Sequence, residues 1–273
     1  MFTNIDECYI EILRLVKQAG SIVNEKIHQH KDVLTKSCDV DLVTEWDQKV
    51  EKLLINGISS KYPDHKFIGE ESTAMGEKVE LTNAPTWIID PIDGTMNFVH
   101  GLPHTCISVA LLINKTTEIG IVYNPVLEQL FTARKGQGAF LNGAPIHVSD
   151  KKELRNSLIM LEMGTSRDPE KLEVILQNIR ILTERAHGLR ALGSAALNMC
   201  MVALGGADVY IEFGIHAWDI AAGDLIIREA GGVSIDPAGG PFDVMSRRAL
   251  CASSIEVAQE MAKILIQYYP ERD

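Results

Sequence analysis

Trp87-Ile88-Ile89-Asp90-Pro91-Ile92-Asp93-Gly94-Thr95-Met96-Asn97 sets three apolar residues running into a carboxylate. That is the pattern of a buried strand that ends by presenting an acid. Pro91 has no N–H to give a sheet, so the strand is expected to stop there. Asp93-Gly94-Thr95 reads as a turn, with a short helix opening from about Asn97. A strand-end acid, a second acid three residues on, a glycine and a hydroxyl thus converge on a small volume. Two acids with no lysine or arginine between them repel each other, and divalent cations bound by oxygen ligands remove that cost. The Gly94 and Thr95 N–H groups are also placed to face a phosphate oxygen, because glycine lets the backbone approach closely. An ordinary Asx-type turn would account for Asp-Gly alone, but not for the whole string.

Toward the N-terminus, Cys8, Ile12, Leu15, Val16, Ala19, Ile22 and Val23 keep helical spacing and predict an amphipathic helix over about 5–26. The stretch from His28 to Val40 is polar and aperiodic, and Lys36-Ser37-Cys38-Asp39 reads as a mobile loop. Thr44 and Asp47 form the pattern of a capping box that opens a second helix. Trp46, Val50, Leu53, Leu54 and Ile58 mark its buried face. His65-Lys66-Phe67-Ile68 predicts a short strand that delivers Gly69-Glu70-Glu71, with Glu70 the better candidate for a site acid and Glu71 a supporting one.

Toward the C-terminus, Cys106–Ile113, Ile119–Tyr123, Leu130–Thr132 and Ala139–Leu141 predict strands, with Asn142-Gly143 a hairpin signal. Lys135-Gly136-Gln137-Gly138 holds a G-x-G, but strands flank it and no helix opens, so a hairpin turn is expected rather than a nucleotide loop. A strand at Ser157–Leu161 and a helix from Pro169 to about Leu182 follow. Gly188-Leu189-Arg190-Ala191-Leu192-Gly193-Ser194-Ala195 then leads into an uncharged helix. Small residues there suit either ligand contact at free N–H groups or tight helix packing, and the residues alone leave both open. Val209–Glu212 alternates like a strand, Trp218-Asp219 opens a helix over 220–230, and an amphipathic helix is expected over 257–268.

The 273 residues, 46% apolar and 23% charged, fit an ordinary globular enzyme, and no linker, repeat or block of like charge divides them, so a single domain is expected. The first residues lack the basic and apolar regions of a signal peptide, and the stretch from Arg190 to Asp208 is too broken by glycine and polar residues to span a membrane. Five scattered cysteines without C-x-x-C suggest reduced thiols and a cytoplasmic protein. A formal net charge of −11 argues against nucleic acid or an anionic membrane as partner. The eight histidines show neither metal spacing nor a nucleophile-elbow context, and are expected to be structural.

The central string resembles the signature of the inositol monophosphatase family, Mg²⁺-dependent and lithium-sensitive phosphomonoesterases. Gly69-Glu70-Glu71-Ser72, Asp41-Leu42-Val43-Thr44-Glu45-Trp46-Asp47 and Glu212-Phe213-Gly214-Ile215-His216-Ala217-Trp218-Asp219 carry the same resemblance, in the family's order, to about Ser254. It implies a five-layer αβαβα sandwich and a homodimer. It also implies two to three Mg²⁺ ions on Glu70, Asp90, the Ile92 carbonyl, Asp93 and Asp219, with inhibition by Li⁺. Glu70, and Thr95 backed by Asp47, would orient the attacking water. Asp93, Gly94, Thr95, Gly193, Ser194, Ala195, Glu212, Asp219 and Thr165 would meet the substrate, with inositol monophosphate expected and sugar-phosphate or nucleotide bisphosphate relatives as the alternative. Two rivals remain. An aspartyl-phosphate enzyme would use Asp39-Val40-Asp41-Leu42-Val43, although no buried strand precedes it. A catalytically silent binder of metal or sugar phosphate would be expected to have lost an acid or the threonine, and none is missing.

Overall fold

The computed structural model describes residues 3–36 and 40–273. Near the N-terminus stand helix α1 (Ile5–Lys26), a two-stranded antiparallel ribbon of β1 (Val33–Thr35) and β2 (Leu42–Thr44), and helix α2 (Glu45–Lys61). Both helices form as their spacing predicts. Asn4 caps α1, and Thr44 with Asp47 closes a capping box on α2. Val50, Leu54 and Ile58 of α2 are buried, with Trp46 and Leu53 half-buried beside them.

A seven-stranded sheet follows in chain order: β3 (Lys66–Gly69), β4 (Thr86–Asp93), β5 (Cys106–Ile113), β6 (Thr116–Asn124), β7 (Gln129–Arg134), β8 (Ala139–Leu141) and β9 (Ala144–Ile146). Two short helices sit at its working end, α3 (Glu70–Ala74) after β3 and α4 (Thr95–His100) after β4. Asn142 and Gly143 both take positive φ, 51° and 81°, in the tight β8–β9 turn. The G-x-G is a hairpin turn as expected. Its Gly136 and Gly138 N–H groups donate to the Glu229 carboxylate, each at 2.8 Å.

The second sheet has five strands, β10 (Leu158–Leu161), β11 (Gly188–Arg190), β12 (Val209–Phe213), β13 (Val233–Ile235) and β14 (Arg248–Ala252), in the order β11-β10-β12-β14-β13. Helices α5 (Pro169–Arg185), α6 (Ala195–Ala203), α7 (Ala217–Glu229) and α8 (Ile255–Ala262) complete the fold. Side-chain alternation sorts the core into three bands. Trp87, Ile89, Val109 and Leu111 face α1 and α2, while Ile88, Ala110, Leu112 and Phe131 face α6 and α7. On the second sheet Tyr210, Ala249 and Cys251 face α6 and α7 from the other side, and Val209, Ile211, Leu250 and Ala252 face α5 and α8. The layers are therefore αβαβα. Eight of the nine residues of α6 are buried, because that helix lies between two sheets.

Several expectations need correction. Pro91 does not end β4. The strand runs to Asp93 through a bulge, with Asp90 opposite Ser108 and Asp93 opposite Cys106, so three intervals on one strand match two on its neighbour. Bulges are one of the places where a sheet tolerates proline. Helix α4 opens at Thr95 rather than Asn97, from a left-handed Gly94 at φ 86°. Strand β11 is too short to announce itself by periodicity. The last helix stops at Ala262 rather than running to Tyr268, because tertiary partners replace its hydrogen bonds. Asn178 takes both the N–H and the carbonyl of Ile266 at 2.8 Å, and Tyr268 donates to Asp168 at 2.6 Å. Ser37, Cys38 and Asp39 of the expected loop lie outside the described residues. The described strand that precedes Asp41 is β1, exposed along its whole length, and not the buried strand that an aspartyl-phosphate nucleophile should follow.

Among the described residues no helix is long and apolar enough to cross a membrane. Cys8, Cys106, Cys200 and Cys251 are free and buried.

Candidate metal centre and active site

The bulge decides the site. Residues three apart on a regular strand point to opposite faces, yet Asp90 and Asp93 pair with Ser108 and Cys106, which are two apart and share a face. Both acids therefore point toward α7, whose Trp218 carbonyl accepts from Ser108 Oγ at 3.1 Å. Asp219, in the first turn of α7, meets them there. One oxygen from each of Asp90, Asp93 and Asp219 lies within 4.8 Å of the others, with the two strand acids buried and Asp219 half-buried.

Each of these acids is held by a local donor. Asp90 Oδ1 accepts the Ile92 N–H at 3.0 Å, and Asp219 Oδ2 accepts the His216 N–H at 2.6 Å. Asp93 Oδ2 accepts Ser194 Oγ–H at 2.6 Å and the Ala196 N–H at 2.7 Å. Burial, then the charges of Glu70, Asp93 and Asp219, push Asp90 well above the usual carboxylate range. Burial and then Asp93 do the same to Asp219. Burial raises Asp93 to about 6 against the pull of Ser194 and Ala196. Among the described residues no lysine or arginine forms an ion pair with these three acids. A set of converging carboxylate oxygens, each resisting ionisation, fits a divalent cation of the hard, oxygen-loving kind.

Glu70 arrives from the neighbouring strand. β3 runs parallel to β4 with Gly69 beside Ile89, so the next residue on each chain, Glu70 and Asp90, emerges at the same end. A lysine reaches this acid from far away in sequence. Lys36 Nζ lies 2.7 Å from Glu70 Oε1 and 2.5 Å from Glu71 Oε1, with only 13% of its side chain exposed. Burial alone would depress that ammonium, but the two carboxylates outweigh it and hold it charged. Burial and Glu70 in turn raise Glu71 to about 8 despite Lys36.

Thr95 Oγ1 stands 3.2 Å from Asp47 Oδ1 and 3.0 Å from the Ile92 carbonyl, with one proton to share between them. The other Asp47 oxygen takes the Thr44 N–H and hydroxyl, so the capping acid serves helix and site at once. Burial lifts Asp47 to about 6. Gly94 must be glycine for space as well as for its φ. A Cβ there would sit 2.8 Å from the His104 carbonyl and 3.0 Å from that of Gly193.

The entry to α6 is built against acids of the site. Its donors are spent on acids of this chain: Ala196 N–H on Asp93, and Gly193 N–H on Glu162 Oε1 at 2.6 Å. Asn97 Nδ2 ties the loop to the site through the Leu192 and His104 carbonyls, each at 2.7 Å. Glu212 faces the same inner layer from β12, with Oε2 accepting the buried Tyr210 hydroxyl at 2.7 Å. Burial, then Glu162, lifts Glu212 to about 8. Thr165 lies exposed on the loop between β10 and α5.

The structure thus gathers Glu70, Asp90, Asp93, Asp219, Thr95 and Asp47 at one end of the large sheet, with Ser194 against Asp93. Sequence reading missed Lys36, Glu162, Asn97, Tyr210 and Asp273. Asp273 lies 2.6 Å from His216 Nδ1 and takes the Ala217 N–H at 2.9 Å, pinning the turn that presents Asp219. None of these reaches its partner through a local pattern, except the short alternation from Tyr210 to Glu212.

Fold and cluster together define a layered α/β protein whose centre suits divalent cations. The inositol monophosphatase family model matches residues 4–271, and the chain belongs to that family. It is 51% identical over 258 residues to inositol monophosphatase 1 of Bos taurus, covering 94% of this chain and 93% of that protein. Among solved structures it resembles the Thermotoga maritima IMPase with a TM-score of 0.83 and 32% identity, covering 94% of this chain and 96% of that one. It also resembles inositol monophosphatase II of Staphylococcus aureus, solved with inositol monophosphate and separately with 2′-AMP. The inositol monophosphate complex gives a TM-score of 0.79 and 26% identity, covering 95% of this chain and 93% of that one.

Proposed function

We propose that this chain is a Mg²⁺-dependent phosphomonoesterase that hydrolyses inositol monophosphate to myo-inositol and phosphate. The observation that carries the reading is the buried convergence of Asp90, Asp93 and Asp219 beside the Thr95–Asp47 pair. Glu70, Asp90, the Ile92 carbonyl, Asp93 and Asp219 would hold two to three ions. When bound, such ions acidify water and offset the negative charge of the phosphate and of the departing alkoxide. Thr95 gives its single proton to Asp47, which leaves its oxygen free to accept from the attacking water and fix that water's direction. Glu70 is the second group on that water, and for this it must take its Oε1 back from Lys36. The Gly94 and Thr95 N–H groups receive the phosphate. Asp93, Gly193, Ser194, Ala195, Glu212, Asp219 and Thr165 surround the alcohol. We read the active form as a cytosolic homodimer of single-domain chains, consistent with the family resemblance and with free buried thiols.

A panel of phosphate esters assayed with Mg²⁺ tests the reading, and inositol monophosphate should be the best substrate. The staphylococcal relative's 2′-AMP complex favours one second reading, a nucleotide phosphatase, which a faster 2′-nucleotide rate would install instead. Li⁺ should inhibit far more than Na⁺ at equal ionic strength, uncompetitively with substrate and less as Mg²⁺ rises. Equal effects of the two ions would reduce the inhibition to screening.

A further inference from the structure

We propose that Lys171 sets specificity on the alcohol side of the site, its ammonium and the Glu212 carboxylate bracketing a gap one hydroxyl wide. This rests on the phosphatase reading above. Lys171 lies in the first turn of α5 and is 1% exposed. Among the described residues its Nζ has no hydrogen-bond partner. A buried ammonium has three donors to satisfy, and leaving them idle is costly enough that such groups are rare.

What surrounds Nζ identifies the missing partner. A Cβ built on Gly164 would lie 2.8 Å from Lys171 Nζ and 3.2 Å from Glu212 Oε1, which bounds the separation of the two charges at about 6 Å. They are nevertheless farther apart than the 4.0 Å of an ion pair. An oxygen hydrogen-bonded to both, at about 2.8 Å each, spans that interval. Glu212 is prepared for the contact, because Tyr210 occupies Oε2 and leaves Oε1 facing the gap. Gly164 is exposed and has φ 65°, and Thr165 stands next to it.

The gap selects its occupant by chemistry. An ammonium can only donate, and Glu212, once it has given up its proton beside a bound group, can only accept, so the bridging group must accept on one side and donate on the other. A hydroxyl does both. A second phosphate would meet repulsion from Glu212, and a methylene would leave both charges unpaired. The ligand class is therefore a hydroxyl of a polyol phosphate, held away from the phosphate end.

The test uses the full chain with saturating Mg²⁺ and compares wild type with Lys171→Met, which keeps the apolar stem. KM and kcat are measured for inositol 1-phosphate and for 4-nitrophenyl phosphate, which has no hydroxyl to offer. The KM for inositol 1-phosphate should rise about tenfold more than that for the nitrophenyl ester, with the larger effect in KM rather than kcat. Deleting ring hydroxyls from the substrate one at a time should also locate one whose loss penalises wild type but not the variant. Parallel changes on both esters, or none on either, overturn the proposal. Should Lys171→Met fail to fold, Gly164→Ala places a methyl in the gap and must produce the same split between esters; equal effects again overturn it. Absence of wild-type turnover of inositol 1-phosphate would overturn the phosphatase reading, and this inference with it. Normal wild-type turnover without the split overturns the inference alone.

Discussion

Asp90, Asp93 and Asp219 face one another with no lysine or arginine paired to them among the described residues, whereas Glu70 and Glu71, one strand away, share Lys36. Both groups consist of acids withdrawn from water, and both pay for it in electrostatic free energy. The first group is left for something outside the chain to neutralise, and the second is neutralised from within. The contrast separates two roles that an inventory of acids would merge. The aspartates form a seat that is unfavourable until it is filled. Glu70 already has a partner within the chain, the Lys36 ammonium at 2.7 Å. Glu212 is an intermediate case, with a tyrosine hydroxyl on one oxygen and an ammonium nearby but not touching.

The contrast breaks most visibly if the aspartates can do without a cation. Exhaustive chelation should abolish turnover, and Asp90→Asn should lower kcat by about 10³-fold or more. Mg²⁺ at a hundredfold excess over Kd should stabilise the fold by about 2.7 kcal/mol in thermal melts, if the unfolded chain binds none. Full activity in EDTA would show that the aspartate seat is only structural.

Removing the hydroxyl beside that seat comes next. Thr95→Ala should cost about 10²–10³-fold in kcat, with the melting temperature nearly unchanged, since general-base assistance contributes on that scale. A variant with near-normal kcat would take Thr95 and Asp47 out of the chemistry and leave them a helix cap.

Lys36→Met addresses the other side. Without metal it leaves Glu70 and Glu71 unpaired and should destabilise the fold by about 3 kcal/mol, the low end for breaking a buried pair. With Mg²⁺ the loss should shrink, because the ion takes over Glu70. An equal loss under both conditions would mean that Lys36 never yields its partner.

The smallest effect concerns Glu212. Its folded pKa, about 8, lies above the ordinary 4.5, so the native state binds the proton more tightly than the unfolded chain. Its contribution to stability is therefore fully present below about 4.5 and is lost as pH rises through about 8. Glu212→Gln should flatten that part of the melting temperature against pH profile. An unchanged profile would mean that Glu212 stays ionised throughout.

Much of the fold could be read from local rules. Helix spacing gave α1 and α2, apolar or β-branched runs between short turns gave β5 to β8, and Thr44 with Asp47 announced a cap that also proved to touch Thr95. The candidate acids likewise stood out, because strand ends and helix starts are where a chain can present a charge. What escaped is carried by contacts with no local signature. Lys36 reaches Glu70 across 34 residues, and Asp273 pins the α7 turn across 57. The residues after Ala262 keep apolar spacing, yet Asn178 ties Ile266 down outside any helix, since one well-placed amide outweighs a weak helical preference. The bulge at Pro91 was misread because proline announces only that a ladder bond is missing, and not whether the strand ends or merely skips.

That skip sets how this protein can change. Surface loops grow or shrink at little cost, because closing a longer loop is cheap. Between Asp90 and Asp93 there is no such latitude. One residue fewer would restore a regular ladder from a different starting point, and one more would turn Asp93 into the apolar band beneath α1 and α2, where Ile92 now sits. The distance between the two acids is thus counted in parity rather than in ångströms: an odd interval along the chain has been made even in space, and only by that one extra residue. Drift elsewhere in the sheet can be absorbed by repacking, but drift in the length of this segment is all or nothing.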